Sequence, residues 1–284
     1  MDRLSNDQLL KDVPLKDVRF KDGSLHDDSI HGESLDDESL TEAPLLKASQ
    51  LRRTFGGIDA VAGVDITIRP RELLCVIGPN GAGKSTLVAL LSGAIKPSSG
   101  TLYLAGESMA GKSLHQFCRR GVARKFQGTN TFLTMSVRDN LIVAGLGVAA
   151  HRTTPMPDPE AVLGEIGLRE QANEVAARLP HGQRQWLEIG MAMMCQPALL
   201  LLDEPAAGLS ASDAQRLVRL IHRLREHCAV LAIEHDLGFV RALECETWVM
   251  HRGQVVRRGT YDDIARDEEI RRIYLGRGAD HASH

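Results

Sequence analysis

Residues 73–91 read LLCVI, then GPNGAGKST, then LVALL. The apolar run Leu73–Ile77 has the length and continuity of a strand buried on both faces. Leu87–Leu91 is an apolar helical stretch. Between them lie Gly78, Pro79, Asn80, Gly81, Ala82, Gly83, Lys84, Ser85 and Thr86, a G-x-x-x-x-G-K-S/T pattern in the strand-before, helix-after setting that the pattern requires. Glycines let main-chain N–H groups converge on anionic oxygens without Cβ clashes. The helix start adds its dipole. Lys84 supplies a compact cation for the β- and γ-phosphates of a nucleotide, and the Ser85 hydroxyl a ligand for Mg²⁺. The loop predicts triphosphate binding without separating ATPase, GTPase and kinase.

Outward from this loop, strand-like and helix-like segments alternate. Val64, Ile66 and Ile68 alternate with polar residues, as in a strand with one solvated face. Leu217, Leu220, Ile221 and Leu224 recur at helical spacing after a Ser212-Asp213 start signal. The order predicts an α/β fold, a mainly parallel sheet wrapped by helices. The apolar run 199–202 ends in Asp203-Glu204, 119 residues beyond Lys84. At the carboxyl edge of such a sheet the first acid suits Mg²⁺ and the second can deprotonate an attacking water. Ile233-Glu234-His235-Asp236 closes another apolar strand. Phe55 could stack on a purine or belong to the core, and Gln127 is unremarkable alone.

Composition narrows the classes. The chain has 284 residues, and residues 1–46 carry 12 acids and 5 bases, so their net −7 leaves +4 of the overall −3 for the remainder. That balance suits a phosphate ligand but not a nucleic-acid partner. No apolar run reaches the ~18–20 residues of a bilayer span, and the acidic N-terminal stretch has no apolar core of a signal peptide. Five cysteines, Cys75, Cys118, Cys195, Cys228 and Cys245, form no C-x-x-C pair and read as reduced thiols of a cytosolic protein, with Cys75 and Cys195 among apolar neighbours.

Residues 1–45 form an acidic arm with a period of five: Leu10, Leu15, Phe20, Leu25, Ile30, Leu35, Leu40 and Leu45. Five matches neither helix nor strand periodicity. The arm resembles pentapeptide-repeat β-helices, but Asp28, Glu33 and Glu38 fall at inward positions where burial is costly. A disordered arm and a short β-helix are both open.

Taken together, the chain from about residue 46 to 276 resembles the ATP-binding subunits of ABC transporters. The motifs come in order: Phe55, the loop Gly78–Thr86, Gln127, the signature Leu179-Pro180-His181-Gly182-Gln183, the Asp203-Glu204 pair, the turn from Ala207 to Ser210, and His235. The resemblance implies a P-loop NTPase (RecA-like) core with an antiparallel β subdomain and an inserted helical subdomain at about 128–196. Residues 277–284 would be a disordered tail. Phe55 would stack on adenine, and Gln127 would sense Mg²⁺ and the attacking water. Glu204 would be the base, His235 would contact the γ-phosphate, and the signature would act on the ATP of an opposed subunit. ATP and Mg²⁺ are the implied cofactors. The implied partners are two transmembrane permease subunits, a second ATP-binding subunit of a different sequence and, indirectly, an extracytoplasmic solute-binding protein, at the cytoplasmic face of the inner membrane.

The stretches from Phe55, Arg124, His181 and Pro205 are most similar to urea importers, with branched-chain amino-acid importers as near relatives. The signature of that group has serine where this chain has Pro180, which lacks both the hydroxyl and the N–H. A regulatory ABC protein with weak hydrolysis is therefore an alternative. A soluble ABC protein of translation or DNA repair would need paired units or a long coiled-coil insertion.

Overall fold

The computed structural model describes residues 43–125, 131–149 and 155–275. Most of the pentad arm, Gln127 and the tail lie outside the described residues. Two sheets organise the chain. The first joins β1 (Leu46–Phe55), β2 (Ile58–Ile68), β4 (Ser99–Leu104) and β5 (Glu107–Ser108) in the antiparallel order β2-β1-β4-β5. The second has the order β10-β9-β3-β8-β7-β6, from β3 (Leu73–Ile77), β6 (Val122–Lys125), β7 (Leu199–Asp203), β8 (Ala229–Ile233), β9 (Glu246–His251) and β10 (Gln254–Gly259). Its strands are parallel except for β10 at the edge.

The continuous apolar runs have a simple cause. Along β3, Leu73, Cys75 and Ile77 enter one core, while Leu74 and Val76 enter another. Likewise Leu200 and Leu202 of β7, with Val230 and Ala232 of β8, face the first core; Leu199, Leu201, Leu231 and Ile233 face the second. Side chains alternate across a strand, so a sheet covered on both faces must be apolar at every position. The second core holds the antiparallel sheet and α1 (Lys84–Leu91). Helix α2 (Leu114–Arg119) joins the second core through Phe117, and the first core holds the later helices.

Three helices between β6 and β7 pack on one another: α3 (Val137–Ala149), α4 (Pro159–Ile166) and α5 (His181–Met194). At their crossing, a Cβ on Gly190 would lie 2.7 Å from Ile166 Cδ1 and 3.0 Å from Leu141 Cδ2. Helix α6 (Ala211–Leu224) buries Leu217, Leu220, Ile221 and Leu224 as its spacing predicts. It begins slightly earlier than Ser212-Asp213 suggests, because Ser210 is the cap and its Oγ accepts from the Asp213 N–H at 3.1 Å. Arg216 of α6 ties it to the three helices, with its guanidinium 4.3 Å over the Trp186 ring and one N–H donated to the Glu165 carbonyl at 3.0 Å. None of the five cysteines is in a disulfide. Cys75 is buried as expected, whereas Cys195, at the C-terminal cap of α5, is partly exposed.

Gly190→Val is expected to force Leu141 and Ile166 off their rotamers and to cost about 1–3 kcal/mol. Chemical denaturation checks this, and an unchanged midpoint would contradict the three-helix contact.

Candidate nucleotide site

The chemistry collects at the carboxyl edge of the parallel sheet. After β3 the loop turns back over its own helix start. Gly78 has φ +154° and Gly83 φ +102°. A Cβ on Gly78 would lie 2.2 Å from the Met250 carbonyl oxygen, and one on Gly83 2.0 Å from that of Ala60. No side chain fits at either position. The loop is wedged between the β1–β2 hairpin and the β9–β10 turn, where the Gly253 N–H donates to the Ala82 carbonyl at 2.9 Å. The Lys84 ammonium donates to the carbonyls of Gly78 at 2.7 Å and Pro79 at 3.2 Å, so it lies under the loop. Burial pulls its pKa down, opposed by Glu204 and Asp203. Those carboxylates are therefore its electrostatic neighbours. Ser85 and Asn80 are exposed beside it, and Thr86 is half-buried.

Strands β7 and β8 pair with Asp203 opposite Ile233, so the residues that follow leave the sheet side by side. Asp203 is buried, and Arg124 Nη2 donates to its Oδ2 at 3.2 Å. Its Oδ1 is buried without a hydrogen-bond partner among the described residues. Burial raises its pKa, partly offset by Arg124. Glu204 follows with φ +48°, a left-handed conformation that costs a non-glycine residue about 1–2 kcal/mol. The turn bends the chain there, and Glu204 stands half-buried with Oε1 3.7 Å from Nδ1 of the exposed His235. A strained backbone at the second acid is a mark of a working site.

Sequence reading missed three groups around these residues. Glu234 is wholly buried and accepts from the Ala206 N–H at 2.8 Å and the His235 N–H at 3.2 Å. Arg124 partners Asp203, and the buried Lys125 lies 3.9 Å from Glu188 of α5. Burial pulls Lys125 down, opposed by Glu188, Asp203, Glu234 and Glu204. The signal was present: Arg124-Lys125 and Glu234 are charges at the ends of apolar strands. Assigning them needed the strand order, which puts β6 beside β7 and β7 beside β8.

The remaining candidates take two positions. Phe55 closes the β1–β2 hairpin, 46% exposed, with the Arg53 guanidinium 4.5 Å from its ring. It is no core residue; the alternative left open by the sequence is settled toward an exposed ring. The signature opens α5, with Leu179 buried, Pro180 at the N-cap without a side-chain cap bond, and His181, Gly182 and Gln183 as the first helical residues. Gln185 of that helix donates to the Ala207 carbonyl at 2.7 Å, joining the signature to the turn after Glu204.

The match to the ABC transporter family model covers residues 61–207, over half of the chain, from the hairpin through the acidic pair. This chain belongs to the ABC transporter family. Among its relatives, the high-affinity branched-chain amino acid transport ATP-binding protein LivG of Escherichia coli strain K12 is 38% identical over 243 residues, covering 80% of this chain and 95% of LivG. BraF, a protein of the same description from Pseudomonas aeruginosa strain PAO1, is 36% identical over 247 residues, covering 81% of this chain and 97% of BraF. Among solved structures, the ADP conformation of the ATP-binding cassette MJ1267 superposes with a TM-score of 0.72 at 26% identity, covering 82% of this chain and 99% of that one. A nucleotide-free ATP-binding cassette from an ABC transporter gives 0.73 at 25% identity, with 82% and 100% covered. The fold is that of the ABC ATPases, and this ABC ATP-binding subunit is an ATP hydrolase.

The raised pKa of Asp203 has a consequence for stability. With the folded value above the ordinary ~3.9, protonation favours folding. That contribution is full below ~3.9 and is lost as pH rises through the folded value. Asp203→Asn is therefore expected to raise the urea midpoint of the nucleotide-free, chelator-treated chain at pH 7, by a margin that shrinks toward pH 4. Equal or lower midpoints at pH 7 would contradict this.

Proposed function

We propose that the chain is the peripheral ATPase subunit of an importer for branched-chain amino acids or related small solutes, working at the cytoplasmic face of the membrane. The observation that carries the ATPase half is the meeting of Lys84, Asp203, Glu204 and His235 at one sheet edge, joined by the Glu204–His235 approach of 3.7 Å. The solute half rests on the likeness to LivG and BraF alone. The urea reading drew on the stretches from Phe55, Arg124, His181 and Pro205, the one around Trp186 above all. The named relatives are described as branched-chain amino acid transport proteins, and that solute class is preferred here.

In this reading the amides of Gly78–Thr86 and the Lys84 ammonium hold the triphosphate. Phe55 offers its exposed ring to adenine, and Glu204 takes a proton from water while His235 steadies the γ-phosphate side. Mg²⁺ would be held by Ser85 and Asp203, with Gln127, which lies outside the described residues, as the third contact of this reading. Hard oxygen donors suit it, and the unpartnered buried Oδ1 of Asp203 is the atom a cation would satisfy. Among the described residues no three His, Cys, Asp or Glu side chains gather as a metal site. The phosphates and water would then supply the other ligands. When bound, the ion neutralises charge on the triphosphate.

Among the described residues no helix is long and apolar enough to cross a membrane. Partner permeases would supply that function, with a second ATP-binding subunit opposed head to tail. Residues 46–276 form the ATP-binding unit in this reading, with 128–196 as its helical part.

Lys84→Ala is expected to abolish ATP retention by the purified chain. In cells it should also abolish uptake of labelled leucine, and unaltered nucleotide affinity would refute the loop assignment. Uptake of labelled urea that is lost with this variant, with leucine uptake untouched, would return the solute to urea.

Pro180 makes the signature unequal to the loop. At the N-cap it presents neither a hydroxyl nor an N–H to an opposed nucleotide, a loss of about 1.5–3 kcal/mol for a bond to a charged group. The site built on this chain's own loop would borrow an intact signature from a different partner. Pro180→Ser is expected to raise ATP turnover of the assembled transporter about 10- to 100-fold at the site it completes. Turnover that does not rise removes the asymmetry.

A further inference from the structure

Glu234, like Asp203, is a carboxylate of the described site whose side chain does not reach solvent. It follows five buried apolar residues, Ala229–Ile233, where an unsatisfied carboxyl would be strongly disfavoured. Its bonds explain its tolerance. Oε1 takes the Ala206 N–H at 2.8 Å, two residues past Glu204, and Oε2 takes the N–H of His235 at 3.2 Å. Its own N–H donates to the Val76 carbonyl at 3.2 Å, two residues before Gly78. The Glu204 N–H completes the bracket by donating to the Ile233 carbonyl at 2.9 Å.

We infer that Glu234 is a positioning residue for hydrolysis: its one buried carboxylate clamps the backbones of the two loops that carry Glu204 and His235, while its main-chain N–H ties the same strand end to β3. This inference rests on the roles proposed above for Glu204 and His235.

The clamp accounts for two features at once. Glu204 has the left-handed φ of +48°, a conformation that persists only where the surroundings over-determine it. The bonds at Glu204 N–H and Ala206 N–H grip the turn on both sides of that strain. His235 is otherwise exposed, and its main-chain tether to Glu234 is what keeps its ring beside Glu204. A misplacement of either group by about 1 Å is enough to lose catalysis on the order of 100-fold. Glu234 touches no reacting atom in this scheme. Its effect should fall on turnover and spare nucleotide binding, because the amides of the phosphate loop are held by Gly78, Gly83 and their carbonyl neighbours instead.

The test uses the chain in the assembled transporter with Mg·ATP, where the partner supplies the opposed signature, comparing wild type, Glu234→Ala, Glu234→Gln and the reference Glu204→Gln. Glu234→Ala removes both acceptors and is expected to lower kcat about 10- to 100-fold with KM and nucleotide Kd unchanged. Glu234→Gln keeps one acceptor oxygen and is expected to fall between the two and to remain folded if the alanine variant does not. Amide hydrogen exchange supplies a readout independent of activity. The N–H groups of Ala206 and His235 should lose protection in Glu234→Gln while those in the middle of β3 and β8 keep theirs. Wild-type kcat in a folded Glu234→Gln overturns the inference, as does a matching fall of kcat and affinity with protection lost throughout the domain. If Glu204→Gln itself turns over like wild type, the assignment of the base has failed. If Glu204→Gln is inactive and the Glu234 variants are not, the clamp alone has failed.

Discussion

Two main-chain carbonyls, those of Ala60 and Met250, press on Gly83 and Gly78 so closely that a single carbon added to either glycine would overlap an oxygen. The contact is backbone against backbone, from two directions, and side-chain adjustment cannot relieve it. Because Ala60 belongs to the antiparallel sheet and Met250 to the parallel one, the loop is where the two sheets meet. The exposed ring of Phe55 is on the same hairpin as Ala60.

What the wedge fixes, the acids then share. Lys84 lies under the loop with its charge disfavoured by burial and rescued by Glu204 and Asp203. Asp203 is disfavoured by burial and rescued by Arg124, and Lys125 by Glu188 and the same acids. Each charge is partly offset by the others, so the cluster is one electrostatic unit assembled from the start of α1, from β6 and α5, and from the ends of β7 and β8. Such a unit is costly in a free chain, because burial disfavours each of its charges. This is the form that a trade between stability and activity takes at a site of charged groups.

The sequence made the loop, the acid pair and the parallel strands legible because their local rules and tertiary environment agree. A continuous apolar run was a strand buried on both faces, and a G-x-x-x-x-G-K-S run was a strand-to-helix turn. Glu234, Arg124 and Lys125 carry no such local signal, since their partners lie 28, 79 and 63 positions away, in the turn after a neighbouring strand, on that strand and on α5. Asp203 and Arg124 are 79 residues apart, and no local periodicity connects them. The start of α6 was misread by two residues for a related reason: Ser210, Ser212 and Asp213 are all good cap residues, and only the Ser210 bond to the Asp213 N–H distinguishes them. Phe55 was ambiguous because an aromatic at a hairpin end reads the same whether it is covered or not.

The signature helix shows how a residue outside this charge cluster still acts on it. Through Gln185, α5 holds the Ala207 carbonyl, and through Glu188 it faces Lys125. Arg216 further binds α6 to Trp186, one turn into the same helix. A shift of α5 must therefore move the turn that follows Glu204, and a shift of that turn pulls on Glu234 and, through it, on His235. The N-terminal end of α5, capped by Pro180, is thus connected by contacts to the turn that carries Glu204 and to His235. A subunit opposed at that end could bias the hydrolytic geometry of this one without touching its nucleotide, and the chain of contacts that would carry the bias is made of hydrogen bonds whose removal can be tested one at a time.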